Sequence, residues 1–300
     1  MRALRWLAAL TCGGMLLVLV MGAAVTNTGS AEGCGRSWPL CNGQFVPEFT
    51  VATAIEYSHR AVTGVESLLV VALAASMLAL WRDREVVMLT ALILGTLVLQ
   101  AGLGAGAVLW PQSALMLATH FGVSLIAFAS TFLSAAVVFE RTAPAAPPSW
   151  TRPGASRNLI LAVTLYILGV VYLGAYVRHA DLSLACVDWP LCNGQVVPPL
   201  DGVTGVVFAH RLAALGAVVL LAIVAYRERS SAATCALILV LLQALSGALV
   251  VWSRLGLFST LLHAALMGLL FATLAYLVRR SLGGAEVALP TRRERVLATR

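Results

Sequence analysis

The chain has 300 residues, 60% of them hydrophobic and 11% charged, with a formal net charge of +7. A soluble domain carries about a quarter charged residues, so this composition excludes a water-soluble globule. All 20 basic residues are arginines scattered at the ends of apolar runs, without a basic–aromatic patch, which excludes a nucleic-acid partner.

Eight runs are long enough to cross a bilayer, at residues 7–26, 57–80, 86–109, 114–139, 158–177, 204–226, 232–252 and 258–279. Each reaches the ~20 residues that a helix needs to span the hydrocarbon layer. The runs are continuously apolar rather than alternating, so the fold class is all-α integral membrane protein and not a barrel. The first run follows two arginines and resembles a signal peptide. It is kept as a helix here, because "GAAVTNTGSAEGC" at 22–34 parallels "GAYVRHADLSLAC" at 174–186, which ends a helix in mid-chain.

Between the first two runs stands "WPLCNGQ" at 38–44, and the same seven residues return at 189–195. Each copy has a second cysteine just upstream, Cys34 and Cys186, which gives the pairs Cys34–Cys41 and Cys186–Cys192. One bridge within each loop is the expected staple, with a redox role for Cys34–Cys41 as the other reading. Too few ligands gather here for zinc. The Cys-x-x-Cys-His of c-type haem is absent. Cys12 and Cys235 are single, inside spans, and read as small apolar core residues.

The repeat extends beyond the loops. "IEYSHR" at 55–60 matches "VFAHR" at 207–211, and "LQAGLGAGAVLW" at 99–110 matches "LQALSGALVVW" at 242–252. His59 and His210 each follow their loop's second cysteine by 18 residues; His120 and His263 each follow Gln100 and Gln243 by 20. The chain is therefore read as a tandem duplication, two pseudo-symmetric four-helix bundles at 1–139 and 158–279. A proline-rich linker occupies 140–157 and a mobile tail 280–300. With the N-terminus inside, 15 arginines fall in cytoplasmic segments and 3 in outer loops, which puts both termini in the cytoplasm and the cysteine loops on the outer face of the cell membrane.

Four histidines, His59, His120, His210 and His263, sit about 9 Å below the outer end of their helices at 1.5 Å per residue. Ionisable groups at that depth are costly and face a functional interior. Two imidazoles from one bundle make an incomplete metal site but a complete axial set for haem iron. Gly102, Gly104, Gly106 and Gly122, and in the second half Gly216, Gly247 and Gly268, leave room for a porphyrin. Arg60 and Arg211 suit haem propionates or simply reach water. Gln100 and Gln243 suit a haem edge or a neighbouring helix, and His179 reads as a solvated loop residue. The halves differ at Glu56, which shares a helix face with His59. Its counterpart is Val207, so the first half is the one expected to do chemistry. Glu66, two turns deeper, reads as a proton relay or a packing residue.

These residues resemble the haem A synthase family, membrane enzymes of cytochrome oxidase assembly. The resemblance covers residues 1–279 and rests on Thr28-Gly29-Ser30, the Trp-Pro-x-Cys loops, Glu56-x-x-His59-Arg60, His120, His210-Arg211 and His263. It departs at "RHAD", 178–181, where the second loop lacks "TGS". The resemblance implies oxidation of the position-8 methyl of haem O to a formyl group. His210 and His263 would hold a haem b cofactor, His59 and His120 would hold the substrate haem, and Glu56 would act at the reacting methyl. The partners implied are haem O, haem O synthase, an electron acceptor and a second copy of the chain in a homo-oligomer. A di-haem b-type electron carrier linked to quinone and a haem carrier or transporter are the competing readings.

Overall fold

The computed structural model describes residues 1–143 and 156–283. It contains eight helices: α1 (Arg2–Asn27), α2 (Val51–Leu80), α3 (Arg84–Leu109), α4 (Ala114–Thr142), α5 (Arg157–His179), α6 (Gly202–Glu228), α7 (Ser231–Trp252) and α8 (Leu257–Gly283). All eight are long and apolar enough to cross a membrane, and among the described residues no strand forms beyond two isolated bridges. The expected linker at 140–157 and the tail at 280–300 lie mostly outside the described residues.

Several helices overrun the hydropathy-defined spans, and polar N-caps set the starts of four of them. α2 begins at Val51, six residues before the apolar run, where Thr50 Oγ1 accepts the Thr53 N–H at 3.2 Å. Asp83, Ser113 and Ser230 cap α3, α4 and α7 in the same way.

Helices α1 to α4 touch in a ring, α1 with α2, α2 with α3, α3 with α4 and α4 with α1. Helices α5 to α8 make the corresponding ring. The rings meet where α4 touches α5 and α8, and where α1 touches α8. α4 is thus the central helix, and Phe128, Leu125 and Ala129 on it join Leu270, Phe271 and Leu274 of α8 in the main core. Lipid is as apolar as these side chains, so close packing rather than water exclusion holds such an interface together. Gly268 shows the fit: a Cβ there would stand 3.5 Å from Phe128 and from Leu16 of α1. Outward faces carry exposed apolar residues such as Leu68, Val98 and Leu165, as a lipid-facing surface requires.

At the end opposite the cysteine loops, charged side chains join the rings. Arg279 of α8 donates to Glu140 of α4 at 2.8 and 3.0 Å and to Glu85 of α3 at 2.6 Å. Arg141 donates to Asp83 at 2.5 and 3.0 Å and to Glu85 at 3.1 Å.

The singleton cysteines separate. Cys12 packs against the core clusters as expected. Cys235 does not: it is exposed on the outward face of α7. An apolar helix is covered by its neighbours on one side only, and composition alone does not say which.

Candidate functional site

The two cysteine loops have one construction. Asn42 and Gly43 have φ of 52° and 77°, and Asn193 and Gly194 have φ of 54° and 77°. Asn-Gly is the residue pair that accepts two positive φ values, so each loop closes as a tight hairpin turn. In the first loop Cys41 N–H donates to Gln44 O at 3.0 Å and Gln44 N–H to Cys41 O at 2.9 Å; Cys192 and Gln195 repeat this at 2.9 and 3.1 Å. Both Trp-Pro bonds, Trp38–Pro39 and Trp189–Pro190, are cis. Cys34 and Cys41 are bridged, as are Cys186 and Cys192, and all four are buried.

An arginine from the following helix grips each loop. Arg60 Nη1 donates to Ser37 O at 2.8 Å and Leu40 O at 2.9 Å. Arg211 Nη1 donates to the matching carbonyls, Asp188 O at 2.9 Å and Leu191 O at 2.7 Å. Propionate contact and a reach to water were the two sequence expectations for both arginines. Each guanidinium holds loop carbonyls, so seating the loop is a role its geometry supports. Asp188 adds a turn cap, accepting the N–H groups of Asn193 and Gly194 at 2.5 and 2.8 Å. Those bonds, the Gly194 one first, hold its carboxyl below the ordinary carboxylate range.

Glu56 is buried, 4% exposed, and does not reach for water. Its Oε1 pairs with Arg60 Nη2 at 2.5 Å and its Oε2 accepts the Cys34 N–H at 2.9 Å. Val207 takes this place in the second half and is equally buried, so Arg211 Nη2 reaches past it to Cys186 O at 3.1 Å.

The four span histidines form two couples. His59 and His120 lie within electrostatic range of each other, and so do His210 and His263. Each ring rests on a glycine of the preceding helix. A Cβ on Gly22 of α1 would stand 3.5 Å from His59, on Gly104 of α3 3.7 Å from His120, on Gly174 of α5 2.6 Å from His210, and on Gly247 of α7 3.4 Å from His263. The glycines, like the histidines, occupy matching places in the repeat. Gly104 and Gly247 belong to the set expected from sequence; Gly22 and Gly174 were missed, although they open the aligned "GAAV" and "GAYV".

Nδ1 of His59, His120 and His210 is buried and makes no hydrogen bond. His263 is held instead: Ser246 Oγ lies 2.8 Å from its Nδ1 and Gln243 Nε2 lies 3.2 Å from its Nε2. Gln100, at the matching place, donates to His120 O at 3.2 Å and to Ser124 Oγ. Both glutamines therefore reach the next helix. Half-buried imidazoles against bare glycine backbone, three of them with an unclaimed Nδ1, fit a flat ligand that binds through imidazole nitrogen. Among the described residues no group of three or more His, Cys, Asp or Glu could hold a metal ion.

His179 corrects its expectation. It is the last residue of α5, half-buried, with a buried Nδ1 that has no partner and with His120 within electrostatic range. It is not a solvated loop residue, because α5 continues to it and lies against α4.

A profile of the cytochrome oxidase assembly protein family COX15-CtaA matches residues 46–275. The chain belongs to this family. It is 42% identical to the haem A synthase of Geobacillus kaustophilus, over 99% of this chain and 95% of that one. The haem A synthases of Halalkalibacterium halodurans (40% identical, 92% of this chain, 96% of the relative) and Symbiobacterium thermophilum (42%, 92% and 95%) are similarly close. The family resemblance expected from the sequence is thus shown.

Proposed function

We propose that the chain is an oxidoreductase that converts haem O to haem A, oxidising the position-8 methyl to a formyl group, and that its histidine couples divide this work. His210 and His263 hold a b-type haem as resident cofactor. His59 and His120 hold the substrate haem. The bound porphyrin irons supply one-electron chemistry. The reading is carried by one observation: four imidazoles rest on four glycines in matching pairs, while a buried carboxylate stands beside only one pair.

Glu56 is the group that handles a proton at the substrate methyl. It lies three residues before His59 and faces the same side of α2. Arg60 and the Cys34 N–H hold its two oxygens and so fix the carboxyl in place away from water. Gly22 and Gly104 let a flat ring approach α1 and α3, and Ser246 fixes the orientation of the His263 ring. The halves descend from a duplicated four-helix unit. The arginine distribution supports cysteine loops on the outer face and both termini in the cytoplasm. Haem O synthase as substrate donor and a separate electron acceptor complete the expected partners.

A pure di-haem electron carrier accounts for four histidines but not for a carboxylate buried in one half alone. The test is purified protein supplied with haem O, followed by pigment extraction. Formyl-haem is the expected product. Quantitative recovery of unchanged haem O from protein with both couples loaded would sink the reading. His210→Ala and His263→Ala should each lose the resident b-type haem, and a normal low-spin spectrum in both would remove them as ligands.

A further inference from the structure

Glu66 lies on α2 seven residues beyond His59, on the same face, about 10 Å further along the axis at 1.5 Å per residue. It is 3% exposed, and its Oε1 is buried without a hydrogen-bond partner. A Cβ on Gly14 of α1 would overlap its Oε2, so the carboxyl lies directly against α1 backbone. The α1–α2 interface thus has two levels, His59 on Gly22 and Glu66 on Gly14.

The second half shows what this place requires when it is only filled. Its matching residues are Tyr166 on α5 and Ala217 on α6. There the polar group comes from the opposite helix and lies over Gly216, whose Cβ would stand 2.5 Å from the Tyr166 hydroxyl. That hydroxyl donates to Ala213 O at 2.9 Å and is satisfied. A space-filling role therefore does not need an acid, and Glu66 alone is left without a donor.

The surroundings offer no fixed countercharge at that depth. α1 and α3 are the helices packed against α2. α1 presents Cys12, within electrostatic range of Glu66, while its Arg2 and Arg5 lie at the far end. α3 has only Arg84 and Glu85, at its start. On α2 itself Glu56, Tyr57, His59 and Arg60 all lie toward the cysteine loop. A buried carboxylate with neither donor nor cation is strongly disfavoured, so the nearest variable positive charge decides whether the proton stays.

We propose that Glu66 is a redox-linked proton site of the first histidine couple, taking up a proton when iron held by His59 and His120 is reduced and releasing it when that iron is oxidised. This rests on the reading that this couple holds a haem. One electron from an external reductant enters the ferric iron, and one proton from water joins the Glu66 carboxylate; oxidation returns both. The O–H bond formed at Glu66 replaces one broken in solvent hydronium, and oxidation reverses the exchange. A unit charge about 10 Å away, at an effective dielectric of about 20, changes a proton affinity roughly tenfold.

The experiment is a redox titration of the purified holoprotein against pH, with redox-difference infrared spectra of the same samples. The native first-half haem should show a midpoint potential that falls as pH rises, and Glu66→Gln should flatten that dependence. The infrared spectrum should show a carboxylic-acid C=O band that follows iron reduction and is absent in Glu66→Gln. Equal pH dependence in both proteins would overturn the proposal. So would a native spectrum without a redox-linked carboxyl band, a result that stands even if the variant does not fold. Protein that takes haem only at His210 and His263 would overturn this proposal together with the substrate-site reading, whereas haem in both couples with a pH-independent potential overturns this one alone.

Discussion

The backbone N–H of Cys34 donates to Glu56 Oε2 at 2.9 Å, tying the first disulfide to the carboxylate that stands three residues before His59. The second half seats its loop without a carboxylate, through Arg211 and the Cys186 carbonyl at 3.1 Å. One fold thus solves the same docking problem in two ways. Seating a loop of this kind does not in itself require a carboxylate, since Arg211 seats the second one without it.

Glu56→Val gives the first half the second half's residue. Arg60 is then free to reach the Cys34 carbonyl, as Arg211 reaches that of Cys186. The expected protein keeps both haems and a bridged Cys34–Cys41 that resists thiol labelling until reduced. Its turnover should drop by roughly 10²–10⁴, the usual worth of a positioned acid or base. Glu56→Gln should behave alike. Turnover within a factor of two of native in both variants would return Glu56 to a purely architectural role.

Arg211→Ala removes three donors from loop carbonyls, at 2.7, 2.9 and 3.1 Å. Bonds from charged groups are worth about 1.5–3 kcal/mol each in favourable settings, so local loosening of the loop is expected. Cys186–Cys192 should become reducible by a mild thiol at least tenfold faster, with Cys34–Cys41 unchanged. Arg60→Ala should do the reverse. Equal reduction rates in native and variant proteins would show that the hairpin holds itself.

The spans were legible because hydropathy over ~20 residues is a strong signal, and the histidine couples because the repeat matched them. What escaped is what depends on facing. An isolated glycine in an apolar helix looks the same toward lipid and toward a ring, which hid Gly22 and Gly174, and the same ambiguity misplaced Cys235. Arg60 was read as reaching a propionate or water, and its carbonyl partners stayed hidden because they belong to a loop whose fold is set by Asn-Gly turns and not by periodicity. His179 looked like a solvated residue because the repeat gives it no histidine partner, yet α5 runs on to it and its Nδ1 is buried.

Asp83 gives a pH prediction at the end away from the disulfides. The Arg141 guanidinium, hydrogen-bonded to it, lowers its pKa from 3.8 to about 2. A depressed folded-state value adds stability at pH values above 3.8, and this is lost as pH falls toward 2. Arg141→Ala should therefore melt lower than native in detergent at neutral pH, and the gap should narrow as pH drops through that window. Asp83 is half exposed, so the effect is small and weakens with salt. Asp83→Asn keeps an N-cap acceptor for the Val86 N–H and should show the native pH slope reduced without loss of α3. A melting gap that stays constant from neutral pH to 2 would refute the pairing.

The four glycines beneath the imidazoles grade a final prediction. Alanine at Gly174 would put its Cβ 2.6 Å from His210 Cε1, closer than real Cβ contacts come, and this ring is confined by the α5–α6 interface. Alanine at Gly104 would meet His120 at 3.7 Å, an ordinary contact. Gly22 and Gly247, at 3.5 and 3.4 Å, fall between. Gly174→Ala should thus lose most of the resident haem, measured as absorbance of extracted pigment per protein. Gly104→Ala should keep its haem content, and Gly247→Ala should retain haem with a shifted low-spin band as His263 turns against Ser246. Overpacking of this kind costs about 1–3 kcal/mol, so displacement of one ring is the expected response rather than unfolding. Were Gly174→Ala to bind haem as the native protein does while Gly104→Ala lost it, the His210 ring could not be where the structure puts it.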